Sequence, residues 1–147
     1  TTMEDKKCDF WGLTLFPRMN DGSYLNLDYI PEHIQSYFMV FNQNVVVSNV
    51  FRDFWSDLSG KNDFVETVAC YESQLTKILN KAGYKHAVYI EETKYIIDML
   101  GDAKIPYVKP WLLLLLGMPF VKKKYSMYCT DEDKILTESY TKLLNYN

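Results

Sequence analysis

The 147-residue sequence predicts an α/β protein with two or three central strands flanked by five helices. Three observations predict it. Cys8 to Phe16, Tyr37 to Phe41 and Lys85 to Ile90 are short apolar, β-rich runs of strand length. Between and after them, apolar residues recur three and four apart, the period of a helix packed on one side. Several of these periodic stretches open on Ser, Asp or Thr and close on Gly, which satisfy the free backbone groups at helix ends.

In chain order, Cys8 to Phe16 alternates loosely and reads as a strand. Pro17 to Pro31 carries Asn20-Asp21-Gly22-Ser23, a strong turn signal, and reads as a hairpin or long loop. Tyr37 to Phe41 is unbroken in its apolar character, so a strand buried on both faces is expected. Asn44 or Ser48 caps a helix carrying Val46, Val50, Phe51, Phe54, Trp55 and Leu58, and Ser59-Gly60 ends it. Asp63 starts a second helix, with Phe64, Val68, Tyr71, Leu75 and Ile78 on one face and Gly83 as its stop. Lys85 to Ile90 is a short strand, Glu91 to Leu100 a helix, and Gly101 closes that helix. Pro106 and Pro110 bracket an extended link into a helix at Trp111, and Pro119 to Lys123 is extended. Thr130-Asp131-Glu132-Asp133 caps a last helix carrying Ile135, Leu136, Tyr140, Leu143 and Leu144. The strands are few for a complete sheet, as though the chain were the back half of a larger one.

Bulk composition narrows the functional classes. An apolar share of 48% with 24% charged residues suits a packed core and excludes a disordered tail. The aromatic share of 16%, with twelve tyrosines, suits a carbohydrate or protein surface and equally a low-GC coding bias. A formal charge of −3 argues against a dedicated nucleic-acid binder. Cys8, Cys70 and Cys129 show no zinc-ligand spacing and read as free thiols in a reducing, cytoplasmic compartment. Thr1 to Lys7 carries no secretory-signal pattern. The apolar stretch at Trp111 falls short of the roughly 20 residues that span a bilayer. The run Lys122-Lys123-Lys124 reads either as a solvated strand end or as a contact for anionic lipid headgroups.

Two segments concentrate polar chemistry on aromatic scaffolds: Asp9-Phe10-Trp11-Gly12-Leu13-Thr14 and His33-Ile34-Gln35-Ser36-Tyr37-Phe38. Each sets hydrogen-bonding side chains at the mouth of an apolar run, the composition of a site for a sugar-sized polar ligand. The other reading is two core strands with polar ends. Glu72 lies one residue off the apolar face of its helix, with Thr76 one turn on as a hydrogen-bond partner. A carboxylate at the edge of a buried face suits general-base work, although a boundary glutamate facing water has the same spacing. His33 either binds a phosphate or sugar hydroxyl or fills a niche under the loop, while His86 precedes a strand and either faces solvent or packs at the edge. Asp131-x-Asp133 has the shape of a metal–diphosphate motif, but at a helix start it reads as a cap, and no metal site is expected here. No G-x-G-x-x-G, P-loop or G-x-S-x-G occurs.

These two segments, with Phe51-Arg52-Asp53-Phe54-Trp55, Tyr71-Glu72-x-x-Leu75-Thr76, Ala82-Gly83-Tyr84 and Pro119-Phe120-Val121-Lys122, resemble the rhamnan synthesis protein F family in content and order. The resemblance runs from about Cys8 to Lys122. It implies a GT-A-like glycosyltransferase fold that moves rhamnose from a nucleotide sugar such as dTDP-L-rhamnose to a growing bacterial cell-surface glycan. It implies Glu72 as the catalytic base, with Asp9 second. Trp11 would stack on a sugar, Gly12 would let backbone approach the ligand, and Thr14 would donate a hydrogen bond. His33, Gln35 and Ser36 would touch sugar or phosphate oxygens. Only eight residues precede Asp9, so residues 1–147 are expected to form a single domain or the acceptor-side fragment of one, its nucleotide-binding half upstream. A Mg or Mn ion would belong to the full-length enzyme, with no cofactor held here. The expected location is cytoplasmic, peripheral at the inner face of the plasma membrane. The rival class is a non-catalytic glycan- or protein-binding module.

Overall fold

Strand β1, Phe10–Phe16, organises the first part of the chain, because every residue in it except Trp11 is buried. In this computed structural model residues 3–61, 63–91 and 109–144 are described. They fall in two compact units, Thr1–Glu91 and Glu92–Asn147.

In the first unit, β1 pairs with β2 (His33–Ile34), β3 (Met39–Phe41) and β4 (His86–Ile90) in a four-stranded mixed sheet. β4 is parallel, from Phe10↔His86 to Thr14↔Ile90, whereas β2 and β3 are antiparallel. Between Leu15↔Ile34 and Gly12↔Met39 the partner chain advances five residues while β1 retreats three. A continuous antiparallel ladder steps one for one. The two surplus residues take the segment 35–38 out of the ladder. It stays pressed against β1, and a Cβ on Gly12 would sit 2.1 Å from Ile34 Cγ2 and 2.8 Å from the Phe38 carbonyl oxygen. Tyr37 and Phe38 therefore lie in the break rather than in a strand, and β3 is half-buried.

The helix expected from Asn44 to Leu58 forms in two pieces, α1 (Gln43–Val46) and α2 (Asn49–Ser56). Ser48 divides them: its hydroxyl donates to the Val45 carbonyl at 2.6 Å and accepts the Phe51 N–H at 3.2 Å. Val50, Phe51 and Phe54 pack on the core, whereas Val46, Trp55 and Leu58 are exposed.

Asp63 caps the next helix by accepting the Glu66 N–H at 2.7 Å. That helix runs unbroken through α3 (Phe64–Thr67), a π-turn (Val68–Glu72) and α4 (Ser73–Lys81). The wide turn adds a residue and rotates the face that follows. Phe64 is 77% exposed as a result, and the helix buries Ala69, Ser73, Leu75, Thr76 and Leu79. Gly83 (φ 95°) ends it, with the Tyr84 N–H donating to the Leu79 carbonyl at 3.1 Å. Phe10, Leu15, Ile34, Val45, Leu75, Leu79 and Val88 form the core between sheet and helices.

The loop 17–31 is tied across itself by the isolated pairs Met19↔Ile30 and Gly22↔Leu27 around a short turn, Ser23–Leu25. In the second unit α5 (Pro110–Leu115) packs on α6 (Asp131–Leu143), and a 3₁₀ turn, Lys123–Met127, lies between them in sequence. Trp111 stacks on Tyr140, and Leu113, Leu114, Met118 and Cys129 are buried. α6 buries Asp133 and Thr137 rather than Ile135 or Leu143, which are largely exposed. Thr137 is tolerated inside because its hydroxyl donates to the Asp133 carbonyl at 2.6 Å. The helix expected from Glu91 to Leu100, its stop at Gly101, and Pro106 lie outside the described residues, apart from Glu91 itself. No helix among the described residues is long and apolar enough to cross a membrane.

Candidate functional site

The break between β2 and β3 gathers most of the singled-out side chains at the carboxyl end of β1. Thr14 is fully buried, and its hydroxyl donates to Gln35 Oε1 at 2.8 Å and meets the Tyr37 hydroxyl at 2.5 Å. The Gln35 N–H donates to the Thr14 carbonyl at 3.0 Å. Next along the chain, exposed Ser36 turns to Glu72. Its hydroxyl donates to Glu72 Oε2 at 2.9 Å and its N–H to Oε1 at 3.4 Å.

His33 completes this end. It is 2% exposed, and its ring stacks on Phe16 with centroids 4.9 Å apart. Nδ1 lies 2.7 Å from the Pro31 carbonyl, which only accepts, so Nδ1 carries the proton and Nε2 is left as an acceptor. Burial pushes this imidazole below its ordinary 6.5, and the Pro31 carbonyl and the charge of Glu72 pull upward without overcoming it. His33 is therefore neutral at pH 7.

Thr76, expected to bond Glu72, instead accepts the Ile34 N–H at 3.0 Å. That bond fastens β2 to α4 and leaves the Glu72 carboxylate to Ser36. Glu72 stands in the π-turn, so an irregular strand connection and an irregular helical turn meet at one hydrogen-bonded pair. Tyr37 belongs to this cluster and is missed by the sequence reading, which places it in a buried strand. The two surplus residues in the pairing bring it to Thr14, and nothing local to Tyr37 announces them.

Asp9, Trp11 and Gly12 lie toward the other end of the strand. Asp9 accepts the Asn44 side-chain N–H at 2.6 Å on Oδ1 and the Lys85 backbone N–H at 2.8 Å on Oδ2. Those two bonds, the Lys85 N–H first, hold its carboxyl below the usual carboxylate range. Trp11 is half-buried against Phe38, with ring centroids 5.6 Å apart. The space over Gly12 is filled by Ile34 and the Phe38 carbonyl.

In the second unit, Thr130 caps α6: its hydroxyl accepts the Asp133 N–H at 3.2 Å and donates to Asp133 Oδ2 at 2.7 Å. Asp133 Oδ1 accepts the Trp111 indole N–H at 2.8 Å and lies 3.5 Å from Lys109 Nζ. Burial acts to raise the Asp133 carboxyl, but the Thr130 and Trp111 bonds and the Lys109 charge hold it low. Asp131 pairs with Lys134 at 3.0 Å. The Asp131-x-Asp133 pair thus caps and staples helices. Among the described residues no three His, Cys, Asp or Glu side chains converge.

Fold and site together define an α/β protein with a polar, carboxylate-bearing cluster at the carboxyl end of a parallel strand pair, where α/β sheets commonly bind ligands. The chain belongs to the family described as rhamnan synthesis protein F, whose model matches residues 1–146. Membership places it in rhamnan synthesis, a branch of polysaccharide biosynthesis. No curated protein and no solved structure matches it.

Proposed function

We propose that this chain acts as a rhamnosyltransferase-like glycosyltransferase with GT-A-like organisation, its described cluster lying on the acceptor side. The donor is a nucleotide sugar such as dTDP-L-rhamnose, and the acceptor is a growing bacterial cell-surface glycan. One observation carries the reading. The Glu72 carboxylate is aimed by Ser36, beside a buried neutral His33, where two backbone irregularities meet at the carboxyl end of β1.

Glu72 accepts the proton of an acceptor hydroxyl while that oxygen bonds to the anomeric carbon and the bond to the nucleoside diphosphate breaks. Ser36 holds the carboxylate in one orientation. His33 Nε2 accepts from a sugar hydroxyl, and Gln35 and Thr14 fix the floor beneath through their mutual bond. Trp11, half-buried against Phe38, would stack on a sugar face. Asp9 is the weaker candidate for the base, because the Lys85 N–H and Asn44 hold its carboxyl below the usual carboxylate range.

The test is rhamnosyl transfer from dTDP-rhamnose to a rhamnan acceptor by the intact enzyme, beside a titration of the donor with and without magnesium. Glu72→Gln is expected to lower turnover by about 100-fold or more with donor affinity nearly unchanged. Unchanged turnover removes Glu72 from the base role. Glycan binding with no transfer under any of these conditions would favour the non-catalytic module.

A further inference from the structure

We propose that the turn between α5 and α6 is a peripheral docking site for the surface of an anionic lipid bilayer. Residues 119–128 hold three lysines and no acidic residue, in a chain whose net charge is −3. The charge of this segment therefore opposes that of the whole chain, with the acidic Glu138 of α6 close enough to act on Tyr125 within it. Lys123 and Lys124 are exposed in the 3₁₀ turn Lys123–Met127. Beside them in sequence, three large apolar or amphipathic side chains are also presented to solvent: Met127 at 73%, Tyr128 at 55% and Phe120 at 37%.

Either half of this arrangement alone would carry little. Exposed lysines are ordinary on a soluble surface, and isolated exposed apolar residues are equally common. Their interleaving over ten residues is the composition that seats in a bilayer interface. Apolar side chains enter the headgroup–acyl boundary and tyrosine sits at headgroup level. Lysine stems lie along the apolar surface with their ammonium groups among the phosphates. Exposed Asp131 and Glu132 follow, on the first turn of α6, where the positive end of the helix dipole offsets them. Asp131 is also paired with Lys134. No described helix spans a bilayer, so the contact is peripheral. Two exposed lysines and a few apolar side chains make it reversible and dependent on anionic lipid. None of the candidate-site residues takes part.

The experiment is co-sedimentation of the whole chain with phosphatidylcholine vesicles, plain or carrying roughly 30% phosphatidylglycerol. Binding is expected only to the anionic vesicles, weakening as salt is raised. Lys123→Ala and Lys124→Ala should each weaken it on the order of fivefold, and Met127→Ser severalfold. Lys142→Ala, an exposed lysine near the end of α6, should leave it unchanged. Because the altered side chains are exposed, circular dichroism should match the wild type, and the Met127→Ser and salt arms stand even where a lysine variant misfolds. Equal binding to both vesicle types overturns the proposal, as does wild-type binding by the double lysine variant. So does binding to heparin with none to vesicles. The readout does not depend on sugar transfer, so it stands or falls separately from the transferase reading.

Discussion

The two ends of β1 carry equally polar residues and use them in opposite ways. At the amino end, Asp9 spends one carboxylate oxygen on a backbone N–H of Lys85 and the other on Asn44, joining the starts of β1, β4 and α1. Its main chain is engaged as well, with Asn42 and with Lys85. At the carboxyl end, Thr14, Gln35, Tyr37, Ser36 and Glu72 bond chiefly side chain to side chain, around a backbone that breaks its own ladder. The first arrangement is a clasp whose groups are saturated by the fold. The second holds both oxygens of a carboxylate on a single exposed serine. Two acidic residues that look alike as candidates differ in what holds their oxygens: two other segments of the fold at Asp9, one exposed serine at Glu72.

The sharpest way to break this comparison is to neutralise each acid in turn. Glu72→Gln should lose about 100-fold or more in turnover with little change in unfolding free energy, because Ser36 can still bond an amide. Asp9→Asn should do the reverse, costing about 1 kcal/mol in denaturant unfolding while turnover per folded molecule stays within a few fold. An Asp9→Asn enzyme that folds normally and is inactive would overturn the division.

A smaller effect tests the seam between the two ends. Gly12→Ala places a methyl group 2.1 Å from Ile34 Cγ2 and 2.8 Å from a backbone oxygen, so the segment 35–38 must move. Destabilisation of about 1–3 kcal/mol is expected. Because the displaced segment carries Gln35 and Ser36, activity should fall further than stability alone explains. Activity falling only in step with the folded fraction would show that the break does not position the site.

The smallest effect is on pH. Burial holds the folded-state His33 and His86 below the ordinary 6.5, against the pull of Glu72 on one and Glu32 on the other. In the window below 6.5 the unfolded chain binds protons that the folded chain refuses. The stability these groups contribute is complete above 6.5 and drains away as pH falls toward their depressed folded values. Denaturant midpoints should drop between about pH 7.5 and about pH 5.5, and His33→Gln should flatten that drop. An identical slope in the variant would mean His33 titrates as an ordinary exposed histidine.

Much of the local architecture was legible in the residues themselves. Ser48, Asp63 and Thr130 cap helices where their side-chain oxygens reach an N–H three residues on, and Gly83 stops one by adopting a positive φ. These bonds close within a single turn, so a short stretch of sequence contains both partners. The order of motifs carried the family in the same way. The faces of helices are less legible. Phe64 follows the expected period yet is exposed, because the π-turn at Val68–Glu72 shifts the register and periodicity assumes a constant turn. Ile135 and Leu143 are likewise exposed against the period, since Asp133 and Thr137 satisfy their polar atoms and take the inside of α6.

By itself, then, the sequence determined which segments become strands and helices, where they are capped, and which polar residues were worth following. The tertiary structure decided which of those residues meet. Thr14 and Gln35 are 21 positions apart, and Ser36 and Glu72 are 36 apart. Their contact depends on how far β2 and β3 slip along β1 and on where α4 lies over β2, both set by packing among Leu15, Ile34, Leu75 and Leu79. Hydrogen bonds within a turn depend on neighbours along the chain. Those that build a site depend on register between distant segments, and register is fixed only when the whole core closes.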